Sequence, residues 1–509
     1  MLFVCLLGTE RPKQLKKVGT IFATNRLLIQ NFLHGACTII LQTSELKLNM
    51  MHDKNIHSDD TSSQQVSSLV TFDETEVETL GPCRIDSPIV HILARRKTSP
   101  YNVEENDRVL FDDTASALAE HPIARVPGFT PAGPRRKIFF DPSKTRAGIV
   151  TCGGLCPGFN DVIRGLVMEL HFLYGVKKIH GFCNGYQGFI PKYGRPVIDL
   201  TPQYVSQINE QGGTILGSSR GSQDPVEIVD CLERMGINML FVIGGDGTLR
   251  GGHGISAEIS RRKSKISIIG IPKTIDNDIS FIDQSFGFQT AFSEAAEVIR
   301  AAHVEAKASP NGVGLVKLMG RHSGFIVCYA ALAHNDANFV MIPEISYPLE
   351  GEKGFLKWLL ERVKKAGHAV VVVAEGAAQE YMNSNELGTD ASGNQKLGDI
   401  GTYLRDRITK SFLSENLELN LKYFDPSYSI RSVKANSFDS VYCLRLAHNA
   451  VHAAMAGFTD VVVSRWHGRF VLLPIPLAVR NRHQVDPYGD LWFSVLESTG
   501  QPPLFGNEE

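Results

Sequence analysis

The chain has 509 residues, of which 43% are hydrophobic and 21% charged, and its formal net charge is −2. This composition is typical of a globular protein with enough chain for two domains. The near-neutral charge argues against nucleic acid or an anionic membrane as a partner, and no apolar run approaches the length of a membrane span. The nine cysteines are scattered and odd in number, which indicates reduced thiols in a cytoplasmic protein rather than a disulfide framework or a zinc site.

The first part of the chain shows little periodicity. Basic residues outnumber acidic ones in residues 1–50, which is compatible with an extension or with an organelle transit segment. Residues 52–80 are rich in Ser, Thr, Asp and Glu, so residues 1–83 are predicted to form a poorly ordered extension or linker. Residues 84–145 hold turn signals without a sustained period, which predicts an N-terminal arm laid on the main body.

Regular structure is predicted from Ala147. A short apolar strand, Ala147–Cys152, leads into a glycine-rich turn, Gly153–Asn160, and then into an amphipathic segment, Asp161–Tyr174. Glycines let a backbone approach a phosphate, and a helix N-terminus offers free N–H groups. The turn could also serve a purely steric need, and it is not a Walker A loop because no Lys-Ser/Thr follows the glycines.

Two further turns carry polar residues beside glycines. Arg220 lies among small residues near the end of an apolar run, which suits a guanidinium that reaches a phosphate, although a surface arginine in a turn is the simpler alternative. The predicted strand Met239–Ile243 ends in Gly244-Gly-Asp-Gly-Thr248. Asp246 there could bind Mg²⁺, or it could cap the next helix.

The next apolar strand, Ile266–Ile271, leads directly into Pro272-Lys-Thr-Ile-Asp-Asn-Asp278. This loop brings a cation, a hydroxyl and two carboxylates to the carboxyl end of a strand, where α/β sheets bind their ligands. The alternative is a polar loop with an Asx turn.

The second half repeats the strand–helix alternation. After a predicted helix, Phe286–Lys307, strands are predicted at Val313–Leu318, Phe339–Ile342 and Ala369–Ala374. Glu375 follows the last of them and could accept hydrogen bonds from sugar hydroxyls or cap the following helix.

A predicted extended stretch, Leu421–Arg431, carries Lys422, Tyr428 and Arg431, which could grip a phosphate, and the last long helix is predicted to start with Ser437 and Asp439 as caps. Alternating strands and helices predict an α/β fold with two doubly wound domains, parallel-rich sheets and an active site in the cleft between them. The predicted chemistry is phosphoryl transfer.

Five motifs together resemble the 6-phosphofructokinase family. They are Gly153-Gly-Leu-Cys-Pro-Gly158, Gly244-Gly-Asp-Gly-Thr248, Pro272-Lys-Thr-Ile-Asp-Asn-Asp278, Met319-Gly-Arg321 and Glu375-Gly376. The resemblance covers residues 134 to 480 and is strongest to the pyrophosphate-type branch whose members, in plants and some microbes, use ATP.

The resemblance implies ATP-dependent phosphorylation of fructose 6-phosphate to fructose 1,6-bisphosphate, the committed step of glycolysis, by a homo-oligomer, a dimer or tetramer. Asp276 would be the general base, supported by Asp278 and Arg321, and Asp246 would hold Mg²⁺. The implied ATP site comprises Gly154, Arg220, Gly221, Gly245, Asp246, Gly247 and Thr248, and the implied sugar phosphate site comprises Thr274, Ile275, Asp276, Met319, Gly320, Arg321, Glu375, Tyr428 and Arg431.

The same resemblance divides the chain. Residues 146–290 plus 432–480 would form the ATP-binding domain, residues 291–431 the fructose 6-phosphate-binding domain, and residues 481–509 a C-terminal tail. The allosteric nucleotide site of the bacterial relatives cannot be traced residue by residue.

Two positions bear on the phosphoryl donor and disagree. Pyrophosphate users in the family carry an aspartate where this chain has Gly247, whereas Lys273 is the residue that pyrophosphate users carry. We give Gly247 more weight, because a side chain there would occupy space that the α-phosphate of ATP needs. A pyrophosphate-dependent enzyme and a catalytically silent regulatory subunit are the alternatives, and a lipid or NAD kinase would explain only the glycine-aspartate turn.

Two departures from the bacterial pattern concern the sugar phosphate. Tyr428 stands where those enzymes have a histidine, and Gly312 stands where they have an arginine from a neighbouring subunit. Lys422 is a candidate replacement for that arginine.

Overall fold

The computed structural model describes residues 70–90, 102–115, 126–382, 388–389 and 395–503. Predictions for residues 1–69 lie outside the described residues, as does most of the polar, glycine-containing loop that the sequence predicts between Tyr381 and Asp399. None of the helices in the described ranges is both long and apolar enough to cross a bilayer.

The strands form two larger sheets and two short pairs. In chain order they are β1 Glu78–Thr79, β2 Ile85–Asp86, β3 Val109–Leu110, β4 Gly128–Pro131, β5 Lys137–Ile138, β6 Arg146–Thr151, β7 Lys178–Phe182, β8 Val197–Asp199, β9 Met239–Gly244, β10 Ser267–Pro272, β11 Gly312–Leu318, β12 Phe339–Met341, β13 His368–Ala374, β14 Asn420–Phe424, β15 Phe458–Thr459, β16 Val461–Trp466 and β17 Arg469–Pro474.

The α-helices alternate with these strands. They are α1 Phe159–Met168, α2 Pro225–Met235, α3 Asp246–Arg262, α4 Phe288–Lys307, α5 Phe325–His334, α6 Phe355–Ala366, α7 Ile400–Ser414, α8 Ser427–Ser432, α9 Ser437–Met455, α10 Ile475–Ala478 and α11 Asp490–Thr499. A π-helix, Glu169–Tyr174, continues α1, so the predicted single helix from Asp161 to Tyr174 consists of two kinds of helix.

The first sheet has the order β3-β4-β17-β16-β10-β9-β6-β7-β8. Its centre, from β16 to β7, is parallel, and both edges are antiparallel. Strands β9 and β10 are buried at every residue, because helices cover both faces of the sheet. One core contains Phe241 and Ile269 with α1 and α9. The core on the opposite face contains Leu240 and Ile268 with α2 and α3, and the hydrophobic residues on the two faces of this sheet are together called the first core.

The second sheet has the order β12-β13-β11-β14 and is parallel throughout. Val370, Val371, Val372 and Val373 of β13 are all fully buried in a core built with α4 to α7, which we call the second core. Alternating strands and helices around parallel-rich sheets confirm the predicted α/β fold class.

Two segments hold more structure than their sequences indicate. Residues 70–83, assigned to a linker, include β1, which pairs with β15 at Glu78↔Thr459. Residues 481–503, assigned to a tail, include α11, whose Trp492 is 1% exposed and belongs to the second core. A strand of two residues is too short to leave a periodic pattern, whereas α11 does place Trp492, Val495 and Leu496 at helical spacing, a pattern that the assignment to a tail overlooked.

Two local predictions are wrong. The stretch from Leu421 to Arg431 is not extended throughout, because β14 ends at Phe424 and α8 begins at Ser427, where the Asp425 carboxylate accepts a hydrogen bond from the Ser427 N–H. The cap of α9 is Asn436, whose side chain accepts a hydrogen bond from the Asp439 N–H over 2.9 Å, rather than Ser437.

Asp439 caps a different helix. Its buried carboxylate accepts hydrogen bonds from the N–H groups of Gly287, at 3.0 Å, and Thr290, at 2.7 Å. It therefore satisfies the N-terminus of α4 and ties α9 of the first core to α4 of the second.

Candidate active site

The carboxyl ends of three neighbouring strands of the first sheet converge. Residues Thr151↔Ile243 and Gly244↔Pro272 are paired in register, so the loops after β6, β9 and β10 leave the sheet at one edge. These loops line a cavity of about 920 Å³, which we call the large cavity.

Glycines shape the large cavity for two different reasons. Gly153 has φ +89°, a backbone conformation that favours glycine, whereas a Cβ added at Gly244, at the end of β9, would collide with the Thr248 side chain. Gly247 differs, because a Cβ added there would meet no atom of the described residues within 4 Å. A side chain at position 247 would therefore fit the fold but project into open space at the cavity wall.

Asp246 is the first residue of α3 and lines the large cavity. The N-cap residue is Gly245, and within the described part of the chain the structure shows no side-chain hydrogen bond that caps this helix, so Asp246 does not act as its cap. The Asp246 carboxylate accepts a hydrogen bond from Arg250 Nε at 3.1 Å, and its side chain is 25% exposed.

A second cavity, of about 250 Å³, adjoins the large one and lies between the two sheets; we call it the small cavity. Lys273 and Thr274 line both cavities. Lys273 is buried, and this burial lowers the pKa of its ammonium although nearby carboxylates oppose the shift. The Lys273 side chain at this junction is placed to contact a phosphate of either donor.

Asp276 faces the small cavity. Among the described residues its Oδ1 has no hydrogen-bond partner, although the atom is buried. Burial, together with the charges of Asp278 and Glu375, raises the pKa of Asp276 to about 8. A buried carboxylate oxygen without a partner is poised to accept a proton from a ligand.

The loop that carries Asp276 is held from several sides. Thr274 Oγ1 accepts a hydrogen bond from the Asp276 N–H at 3.1 Å and donates one to Asp278 Oδ1 at 3.1 Å. Asn277 has φ +55°, and its side chain accepts a hydrogen bond from the Ser285 N–H at 2.8 Å. Asn277, rather than either aspartate, therefore fixes the turn in the loop.

The second sheet contributes the other wall of the small cavity through Met319, Arg321, Glu375 and Arg431. Burial raises the pKa of Glu375, and Arg321 is the first of the cations that oppose this shift. The following short helix has Ala378 as its N-cap, so Glu375 does not cap it.

Most of the predicted site residues line the large or the small cavity. Four residues lie elsewhere than expected. Gly154, expected at the nucleotide, lines the small cavity instead. Tyr428 is 76% exposed and lies outside both cavities, under the Arg431 guanidinium at 4.5 Å from its ring centroid. Gly320 lies behind the wall, where its carbonyl accepts a hydrogen bond from the Gly376 N–H. Lys422 lies on β14, at the edge of the second sheet.

Other residues line the large cavity without a signal in the sequence. Tyr186 closes it from behind and donates a hydrogen bond from its hydroxyl to the Thr248 carbonyl at 2.7 Å. Arg482 reaches it from the segment assigned to a tail. The positions of these residues depend on chain crossings that no local pattern encodes.

The geometry defines the protein as a two-sheet α/β protein with a polar, glycine-lined cleft between its sheets. Residues 146–454 match the family described as Phosphofructokinase. The chain therefore belongs to the phosphofructokinase family, and the resemblance seen in its motifs is confirmed.

Several curated relatives are similar over most of their length. An ATP-dependent 6-phosphofructokinase of Amycolatopsis methanolica is 55% identical over 86% of this chain and 96% of its own. An ATP-dependent 6-phosphofructokinase of Entamoeba histolytica is 49% identical over 71% of this chain and 82% of its own. The relative named ATP-dependent 6-phosphofructokinase 7 of Arabidopsis thaliana is 47% identical over 75% of this chain and 78% of its own.

Solved structures agree on the fold. A pyrophosphate-dependent phosphofructokinase from Marinobacter aquaeolei matches with a TM-score of 0.57 at 20% identity, over 72% of this chain and 94% of that one. The T-state phosphofructokinase of Pichia pastoris matches with a TM-score of 0.55 at 21% identity, over 70% of this chain and 37% of that one. At this identity the likeness concerns the fold alone.

Proposed function

We propose that this protein is an ATP-dependent 6-phosphofructokinase, which converts fructose 6-phosphate to fructose 1,6-bisphosphate. The observation that carries the proposal is the carboxylate of Asp276, whose buried Oδ1 has no hydrogen-bond partner among the described residues and which faces the small polar cavity beside a nucleotide-sized one. A cavity of about 920 Å³ is within the usual range for a ligand of nucleotide size. The names of the similar relatives support the same activity.

The chemistry follows from this arrangement. Asp276 accepts the proton of the sugar 1-hydroxyl as that oxygen forms a bond to the γ-phosphorus. The bond from the γ-phosphorus to the β–γ bridging oxygen breaks, and ADP leaves with the electron pair. A base whose pKa is about 8 is matched to proton transfer near neutral pH.

The two cavities divide the binding roles. We assign the large cavity to ATP, with Arg220, Gly221, Gly245, Gly247 and Thr248 along its wall. We assign the small cavity to the sugar phosphate, where the cations Arg321 and Arg431 face an anion and Glu375 faces hydroxyls. In domain terms, residues 146–290 plus 432–480 bind the nucleotide, and residues 291–431 bind the sugar.

The side chains at the large cavity fit a Mg²⁺ ion that arrives with the nucleotide. Magnesium takes one or two carboxylates together with substrate phosphates and water. Asp246 supplies one carboxylate at the cavity wall, and the described residues contain no group of three or more ligating side chains. When bound, the ion would neutralise phosphate charge. Asp246 would hold the ion in place of the hydrogen bond that its carboxylate accepts from Arg250.

The donor can be tested directly. Fructose 1,6-bisphosphate formation is measured with fructose 6-phosphate and Mg²⁺, with ATP in one assay and pyrophosphate in the other. We expect product with ATP, because Gly247 leaves the cavity wall open. Product with pyrophosphate alone would overturn the donor assignment, and product with neither would favour a silent regulatory subunit.

We further propose that the protein acts in the cytoplasm as a homo-oligomer. The near-neutral charge and the absence of a membrane-spanning helix in the described ranges support a role away from membranes. Some similar Arabidopsis relatives are named chloroplastic, so the location is tested by imaging the full chain and a variant without residues 1–50. Sedimentation of the purified protein tests the assembly.

A further inference from the structure

The segment that follows α10 runs beside the loop that carries Asp276 and Asp278. Ile279 and Arg482 form an isolated antiparallel bridge. The His483 N–H donates to the Asp278 carbonyl at 2.9 Å, and Ser280 Oγ donates to the Asn481 carbonyl at 2.9 Å. The backbone is therefore fixed on both sides of Arg482 against the loop that carries the two aspartates.

The same segment is also bonded to the second core. Gln484 Nε2 donates to the His322 carbonyl at 2.8 Å. The Val485 N–H donates to Glu344 Oε1 at 2.8 Å, and this oxygen also accepts the Gly324 N–H at 2.9 Å. Arg482 thus projects from a strap, residues 481–485, that is anchored to loops of both cores.

The Arg482 side chain points to the large cavity, whose wall it forms together with Asp246, Gly247 and Lys273. Its Nη1 lies 3.7 Å from Asp278 Oδ2, and the side chain is 35% exposed. This separation is longer than a hydrogen bond. Within the described parts of the chain Asp278 is the one acidic partner of this guanidinium, so its N–H donors are available to an anionic ligand.

The surroundings fit such a ligand. Asp278 is only 14% exposed, and its other oxygen already accepts the Thr274 hydroxyl. Burial lowers the pKa of the neighbouring His322, and Arg482 and Arg321 lower it further. The guanidinium groups of Arg321 and Arg482 therefore lie close to this side of the cleft, where the nucleotide phosphates would meet the sugar.

We propose that Arg482 is a further catalytic residue, whose guanidinium contacts the phosphoryl group during its transfer. The inference rests on the proposed function. As the sugar oxygen bonds to the γ-phosphorus and the bond to the leaving ADP breaks, negative charge spreads over the phosphoryl oxygens. Asp278 holds the guanidinium at this position, and the strap fixes its backbone.

The experiment compares R482Q and R482K with a matched control, R480Q. Arg480 lies two residues earlier and pairs with Glu74, away from the cavity wall. In R482Q we expect kcat with ATP to fall about 100-fold, as when one donor to developing charge is removed. KM for fructose 6-phosphate should stay within about twofold, because the interaction strengthens only in the transition state.

The variants separate a phosphate contact from a structural ion pair. R482K should recover only part of kcat, because an ammonium lacks the forked donors of arginine. R480Q should behave as the wild type. A kcat equal to that of the wild type in R482Q or R482K would overturn the inference. Melting curves serve as the control that each variant is folded. If R482Q does not fold, R482K alone decides in the same way.

The D278N background decides between direct and indirect action. If Arg482 contacts the phosphoryl group, R482Q lowers kcat further in a D278N enzyme. If it acts only by pairing with Asp278, the second substitution has no added effect, and the inference is overturned. If the wild-type protein has no activity, the proposed function itself is overturned. If the wild type, R480Q and R482Q all have the same kcat, only the role of Arg482 is overturned.

Discussion

Asp276 is a residue at which catalysis and stability conflict. Its pKa of about 8 is far above the usual range for aspartate, so the folded protein holds a proton that the unfolded chain has already released between about pH 4 and 8. The stability that this proton contributes is present at low pH and is lost as pH rises through about 8.

We therefore expect Asp276→Asn to lower kcat by at least about 100-fold while raising the free energy of unfolding above pH 8 by more than about 1 kcal/mol. Denaturant titrations at pH 6 and pH 9 measure the second effect. An equal increase in the free energy of unfolding at both pH values would contradict the raised pKa. Retained turnover would show that Asp276 is not the general base.

Gly247 tests whether an open cavity wall selects the donor. An added Cβ meets nothing within 4 Å, and the position lies in the first turn of α3, where glycine is unfavourable by about 0.5–1 kcal/mol relative to alanine. Gly247→Ala should therefore raise stability slightly. Gly247→Asp should lower kcat/KM for ATP by about 100-fold, because a carboxylate would stand in the path of the α-phosphate.

The comparison of Gly247→Ala with Gly247→Asp separates volume from charge. Both donors are assayed with each variant, together with thermal unfolding. If Gly247→Asp keeps full ATP turnover, the steric argument fails and Lys273 becomes the better candidate for donor choice.

At the scale of elements, the sequence predicts well what depends on neighbouring residues. The apolar runs of β9, β10 and β13 identify buried strands. The polar loops after β9 and β10 identify one edge of the first sheet, because the carboxyl ends of parallel strands lie at the same edge. The strap that carries Arg482 could not be predicted, because its hydrogen bonds join residues that are far apart in the chain, by 141 positions for Val485 and Glu344 and by 201 for Ser280 and Asn481.

Helix caps show the same limit. Ser437 and Asp439 have the residue types of N-caps, yet Asn436 caps α9, and Asp439 caps α4. Propensity identifies a helix start within a residue or two, whereas the partner of a buried carboxylate is set by packing between helices.

Asp439 should accordingly stabilise the contact between α4 and α9. It is 0% exposed and accepts three hydrogen bonds from Gly287 and Thr290. Asp439→Ala would leave buried N–H groups without partners, so we expect a loss of about 2–4 kcal/mol. The control is Ser437→Ala, which should change stability by less than about 0.5 kcal/mol. Chemical denaturation of both variants measures the difference, and equal losses would contradict the cap assignment.

At the scale of the whole molecule, the described chain passes between its two cores more than once. It enters the second core after β10, returns between α8 and α9, and crosses again between α10 and α11. Loops from both cores and the strap therefore meet at the cleft, so that the wall of the small cavity is complete only when both cores are folded.

This architecture predicts how the protein responds to metal removal. The two cores are held together by packing and hydrogen bonds, and the described residues offer no cluster of three or more metal ligands. Mg²⁺ should therefore bind with the nucleotide at Asp246 and should not support the fold. We expect EDTA to abolish turnover, and added Mg²⁺ to restore it, without a change in the melting temperature of the nucleotide-free protein. ATP with Mg²⁺ should raise that temperature by mass action, and Asp246→Asn should weaken this rise. A lower melting temperature in EDTA alone would instead indicate a structural metal.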